Sequence, residues 1–207
     1  MTAAQGSSTD GRVLRGARSH HRIVQALYEL VREGHVAPTA DEVAERAGVG
    51  TRTVFRKFDD LEALYRSLGD RLEVEVTELA AHTPPTGQLV EDLRTLVARR
   101  RRIFEHLAPF RRAGRIVRHT SPVLRAQDAV LARALRAGLV AVVGPHLSPL
   151  STDRLEALDV LLSFEAWDRL RDEQHLSAKR AEQVIFEASM SLIRSTTRVS
   201  ARVAAAK

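Results

Sequence analysis

Apolar positions along this chain recur at intervals of three and four, and β-branched runs of period two are missing. Ile23, Ala26, Leu27, Leu30 and Val31 follow the i, i+3, i+4, i+7 spacing of one helix face, which predicts a helix over 19–33 that stops at Gly34. Leu61, Leu64, Tyr65, Leu68, Leu72, Val76 and Leu79 extend one stripe through a second helix. That helix is about 20 residues, or roughly 30 Å, long. It ends where Pro84 and Pro85 interrupt the pattern. The same spacing predicts helices over 87–107, 110–119 and 121–143, with Pro109 and Gly144-Pro145 as breaks and Ser121-Pro122 as cap and first turn. A loop over 146–151 leads to a helix over 153–171, and a last helix starts at the Ser177 cap. Residues 1–17 are small and polar without a pattern and read as a disordered arm, which Arg12 and Arg15, with Arg18 just beyond it, make basic. The fold class is all-α.

The residues 39–58 read TADEVAERAGVGTRTVFRKF. Thr39 stands three residues before Glu42, the spacing of a capping box. Val43, Ala44 and Ala47 give the short helix a small apolar side, and Gly48 can take the positive φ where it must stop. After the turn at Val49-Gly50, Val54 and Phe58 share one face of a second short helix. Arg52, Thr53, Arg56 and Lys57 fall largely on its other faces. Two short helices joined by a glycine-containing turn form a helix-turn-helix, whose second helix enters the DNA major groove. Arginine forks to guanine, a threonine methyl packs on the thymine methyl, and lysine neutralises phosphate.

This stretch resembles the TetR family of bacterial transcription regulators over about residues 18–68, through Thr39, Ala47-Gly48-Val49, Thr53, Val54, Phe55 and Phe58. Phe55 stands for the usual Tyr, Lys57 for the usual His, and Leu61 for a common Lys. The resemblance implies a three-helix DNA-binding domain over 18–65 and a six-helix ligand-binding and dimerisation domain over 66–200. It places Thr39, Phe55 and Lys57 at the DNA backbone. Thr51, Arg52, Thr53 and Arg56 are the candidates for base or near-base contact, with Arg18 supplementing them from the arm.

Composition adds direction. The chain carries a net charge of +6, and its sequence pI near 10.6 favours a polyanionic partner. Cysteine is absent, which removes disulfides and thiolate chemistry and fits a reducing cytoplasm. No apolar run is long enough to span a membrane. No nucleophile elbow, Walker loop, HExxH or dinucleotide fingerprint is present, and the histidines have no paired ligand spacing. The reading is therefore no enzyme, no cofactor and no metal.

The second domain offers candidates of another kind. Phe104, Leu107, Phe110, Ile116, His119, Phe164 and Trp167 are candidates for binding a small apolar or amphipathic effector, with core packing as the alternative. Leu158, Leu162, Ile185 and Leu192 are candidates for a homodimer contact, which the resemblance puts on the last two helices. Their stripes could equally be consumed by the chain's own core. Twelve arginines lie between Arg94 and Arg136 against two acids, Glu105 and Asp128. Because Arg99 to Arg102 are consecutive, they point all round a helix; the readings are a solvated surface, phosphate contact, or capture of an anionic effector. The functional reading is a ligand-responsive dimeric repressor of double-stranded DNA. Its rivals are a regulator without effector and a helical enzyme or interaction module.

Overall fold

A computed structural model describes residues 6–80, 84–146 and 152–205, with side chains at all but 6–15, 116, 146 and 195–205. Of the loop expected over 146–151, residues 147–151 lie outside the described residues, as do the start of the break at 82–83 and the side chain of Ile116; His146 ends a 3-10 turn over Gly144–His146. The α-helices are α1 (Gly6–Arg32), α2 (Ala40–Ala47), α3 (Thr51–Lys57), α4 (Leu61–Leu79) and α5 (Leu89–Ala113). They continue with α6 (Arg115–Thr120), α7 (Pro122–Val143), α8 (Thr152–Leu161), α9 (Phe164–Asp168) and α10 (Ala178–Ala205). There is no strand among the described residues, as the all-α reading expects.

Three elements differ from expectation. Helix α1 starts at Gly6, so the arm expected to be disordered is helical from that point. No proline interrupts 6–19, and a helix already nucleated by the stripe from Ile23 to Val31 extends at one hydrogen bond per residue. Helix α5 runs through Pro109 to Ala113. Proline there removes one helical hydrogen bond, and the stripe continues past it in the buried Phe110 and Ala113. The helix expected over 153–171 is divided. Helix α8 ends at Leu161, and Ser163 caps α9 by accepting from the Ala166 amide at 3.2 Å. A π-helical turn over Arg169–Glu173 follows. The Leu176 amide closes it on the Leu170 carbonyl at 3.0 Å, with His175 at φ 53.

The chain divides into two compact units. The first comprises Met1–Val74 with Pro109–Ala126. Its core is built from Ile23, Leu27 and Val31 of α1, Val43 and Ala44 of α2, Val54 of α3, and Leu64 and Leu68 of α4, all nearly inaccessible. Phe110 packs on Tyr28 with ring centroids 4.9 Å apart, and the Arg71 guanidinium lies 3.8 Å from the centroid of the same Tyr28 ring.

The second unit comprises Glu75–Ala108 with Gln127–Lys207. Leu93, Phe104, Leu139, Val143, Leu158, Leu162, Trp167 and Ile185 fill its interior. At its surface Arg136 of α7 reaches two acids of α8, Glu156 at 2.5 Å and Asp159 at 2.9 Å. Its N-terminal connection is fastened by the buried Asp92, which accepts from the Thr86 amide, the Thr86 hydroxyl and the Gly87 amide at 2.7–3.0 Å.

Candidate nucleic-acid interface

The capping box is formed as expected. The Thr39 amide donates to Glu42 at 2.8 Å and the Glu42 amide donates to the Thr39 hydroxyl at 3.3 Å. The Thr39 amide and hydroxyl hold the Glu42 carboxyl below its ordinary range. Helix α2 ends at Gly48, which takes the left-handed conformation at φ 61 and ψ 44. Its amide and that of Val49 close on carbonyls of α2. From α1, Arg22 donates to the carbonyls of Ala47 and Gly48. Arg46 on α2 forks to Glu33, in the turn that follows α1, at 2.6 and 2.8 Å, which holds the Glu33 carboxyl below its ordinary range. The C-terminal end of α2, where the turn begins, is thus tied twice, through Ala47 and Gly48 to Arg22 and through Arg46 to Glu33.

Helix α3 has Gly50 at its N-cap, and Val54 and Phe58 anchor it. Phe58 packs on the His20 ring of α1, centroids 4.7 Å apart. With that face used, the other faces carry the polar residues. Arg52 and Arg56 are exposed, and Phe55 is 51% exposed, a large aromatic without cover. Thr53 is half-buried. The Thr51 hydroxyl donates to Asp41 of α2 at 2.6 Å, so it braces the two helices of the motif. Lys57 is half-buried, its Nζ 3.1 Å from where a Cβ would lie at Gly16 of α1. Thr39 and Arg18 are exposed. The next helix is capped by Asp60, which accepts from the Ala63 amide at 2.7 Å. The exposed side chains of α3 follow from the spacing of Val54 and Phe58, whereas the braces behind the motif, Arg22 and Asp41, do not. No spacing rule joins either to its partner, because those contacts arise only when the three helices pack.

The effector candidates do not form one group. Phe104, Phe164 and Trp167 meet in the second unit, with Phe104 edge-on to Phe164 at 5.7 Å and 6.4 Å from Trp167. Leu107 is buried in that unit too. Phe110 belongs to the first unit and packs on Tyr28, while His119 is exposed. The Trp167 indole donates to Glu105 at 3.0 Å, and Arg171 forks to the same carboxylate at 2.8 and 3.2 Å. Of the dimer candidates, Leu158, Leu162 and Ile185 are buried within the single chain, and Leu192 is half-buried. The arginine run divides as well. Arg100 is buried at 2% exposure, and Arg101 pairs with Glu182 at 2.9 Å, so the run is not a uniformly solvated surface.

No family model and no curated protein matches the chain. Solved structures do. A TetR-family transcriptional regulator from Streptomyces coelicolor superposes with a TM-score of 0.63 at 17% identity, over 86% of this chain and 82% of the other. A transcriptional regulator from Rhodococcus sp. Rha1 gives 0.62 at 20% identity, over 85% of this chain and 96% of that one. A TetR transcriptional regulator from Rhodococcus sp. RHA1 gives 0.52 at 20% identity, over 86% and 97%. The clamped helix-turn-helix and the helices that follow it therefore have the fold of TetR-family transcriptional regulators.

Proposed function

We propose that this chain is a TetR-like transcriptional regulator, a cytoplasmic homodimer that represses by setting α3 of each copy into the major groove of an inverted-repeat operator. The observation that carries this is the solvent-facing side of α3. Arg52, Phe55 and Arg56 stand exposed on a helix whose opposite side is locked by Val54 and Phe58. A short helix held rigidly with two free guanidinium forks outward suits direct readout of guanine edges. Thr53 borders that face, and Thr39, Lys57 and Arg18 supply backbone contacts. The dimer forms on the outward faces of α8 and α10. A small apolar or amphipathic effector binds in the second unit, around Phe104, Phe164 and Trp167, and releases the operator. Footprinting of the purified protein on the DNA upstream of its own gene tests the reading. Protection of an inverted repeat that weakens in Arg52→Ala supports it; protection without sequence preference, or none, refutes it.

A further inference from the structure

Helix α5 turns its four consecutive arginines in different directions. Arg102 is exposed, Arg99 is half-buried, and Arg101 reaches Glu182 of α10. Arg100 alone points inward, at 2% exposure. Its Nη1 donates to the Leu162 carbonyl and its Nη2 to the Leu135 carbonyl at 2.6 Å, while its buried Nε has no acceptor. The acid whose charge favours it is Asp159, but the Asp159 carboxylate is bonded to Arg136 at 2.9 Å. Burial pulls the Arg100 guanidinium down to about 10, with neighbouring Arg99 acting in the same direction.

A buried positive charge is costly unless an opposite charge meets it. Two neutral carbonyls satisfy two of its donors, and leave the charge without a contacting anion. Its surroundings are equally specific. Phe104 follows one helical turn later on α5 and is 1% exposed. Phe104 meets Phe164 and Trp167 of α9. Leu162, whose carbonyl Arg100 takes, lies at the break between α8 and α9, two residues before Phe164. Cationic head and aromatic wall are therefore contiguous. The segment carrying the wall leads into the π-helical turn at Arg169–Glu173, a feature frequent at functional sites.

We propose that Arg100 recognises a carboxylate on an otherwise apolar ligand, which takes the guanidinium from the Leu162 carbonyl and lays its body against Phe104, Phe164 and Trp167. This rests on the reading of the second unit as the effector domain and names the effector's class. The exchange sets an opposite charge against the buried guanidinium in place of a neutral carbonyl. It also offers an acceptor to the orphaned Nε–H and frees the Leu162 carbonyl. The junction of α8 and α9 then loses a tie that it has without ligand, which couples occupancy to a shift of α9.

Trp167 is the only tryptophan, so its fluorescence in the full-length protein, without DNA, reports binding at this wall. Decanoate and naphthoate are titrated against the neutral decanol and naphthylmethanol. The acids should bind about ten-fold more tightly than the matching alcohols. In Arg100→Met, with folding confirmed by circular dichroism, that preference should vanish while alcohol binding stays. If Arg100→Met does not fold, Arg100→Lys, which keeps the charge but loses the fork, should show a reduced preference. Equal binding of acids and alcohols, no binding of either acid, or a preference that survives in the variant would overturn the proposal. Operator binding is measured separately on unliganded protein. Its absence would sink the regulator reading and leave carboxylate recognition standing.

Discussion

Arg22 of α1 closes over Gly48, the residue that ends α2. Its guanidinium donates to the carbonyls of Ala47 and Gly48, and a Cβ added at Gly48 would lie 2.9 Å from its Nη2. The two residues fix the angle at which α3 leaves the turn, since Gly48 supplies the left-handed backbone and Arg22 holds the carbonyls it exposes.

Gly48→Ala should therefore destabilise the first unit by roughly 1–2 kcal/mol, the cost of left-handed backbone with a Cβ. The arginine tip can move aside, so the collision adds little. Arg22→Ala should cost a similar ~1 kcal/mol by leaving those carbonyls without their charged donor. Urea unfolding of both variants checks this. Wild-type midpoints in both would mean that the turn is held by something else.

Groove reading and phosphate contact separate by salt. Arg52→Ala should cost about 1–3 kcal/mol on the operator and relax preference at one position in each half-site. Lys57→Ala should weaken all sequences alike and make the salt dependence shallower. Binding isotherms at several salt concentrations check both, and unchanged affinity and slope in the two variants would remove α3 from the interface.

The burial of Leu158 and Leu162 changes what a test of the dimer must use. At 0% and 1% exposure they serve the core of one chain, so Leu162→Ala should cost about 2–5 kcal/mol of folding stability whatever the oligomeric state. Val160 on α8 is 69% exposed and belongs to the outward face. Val160→Glu should leave circular dichroism unchanged and shift sedimentation from dimer to monomer. A folded dimer in that variant would place the two-fold contact elsewhere.

What could be read from the sequence was local. The box of Thr39 and Glu42, the stop at Gly48 and the pairing of Val54 with Phe58 depend on residues three or four apart, and all are formed. The burial of Arg100 was not legible, because four arginines in a row carry no sign of which one faces a carbonyl 62 residues away. The break at Ser163 was masked by the leucines on either side, whose spacing suits one continuous helix as well as two. Pro109 misled in the opposite sense, since a proline weakens a helix without obliging it to end. Aromatic character does not sort the effector candidates, since it is shared by the Phe104 cluster and by Phe110, which sits in the other unit.

Glu105 gathers the charge and the indole of the second unit at one carboxylate, and this makes acid sensitivity testable. Burial alone would raise its carboxyl, but the Arg171 guanidinium and the Trp167 indole outweigh that and hold it below the ordinary range. Glu33, Glu42 and Glu156 are lowered too, by Arg46, Thr39 and Arg136 respectively. For an acid lowered in the folded state, the unfolded chain takes up its proton first. The stability each group supplies is therefore complete above the ordinary carboxylate range, about pH 4–5, and is lost as pH falls through the folded value. Glu105→Gln keeps an acceptor for the indole and discards the charge that holds Arg171. It should lower stability near neutral pH and flatten the acid limb of the midpoint-against-pH curve, bringing the two proteins together at low pH. The Trp167 emission maximum should move in Glu105→Gln at neutral pH, because its hydrogen-bond acceptor is no longer ionised. An acid limb as steep as wild type would mean that Glu105 carries no pH-linked stability and that the Arg171 fork is ornamental to the fold.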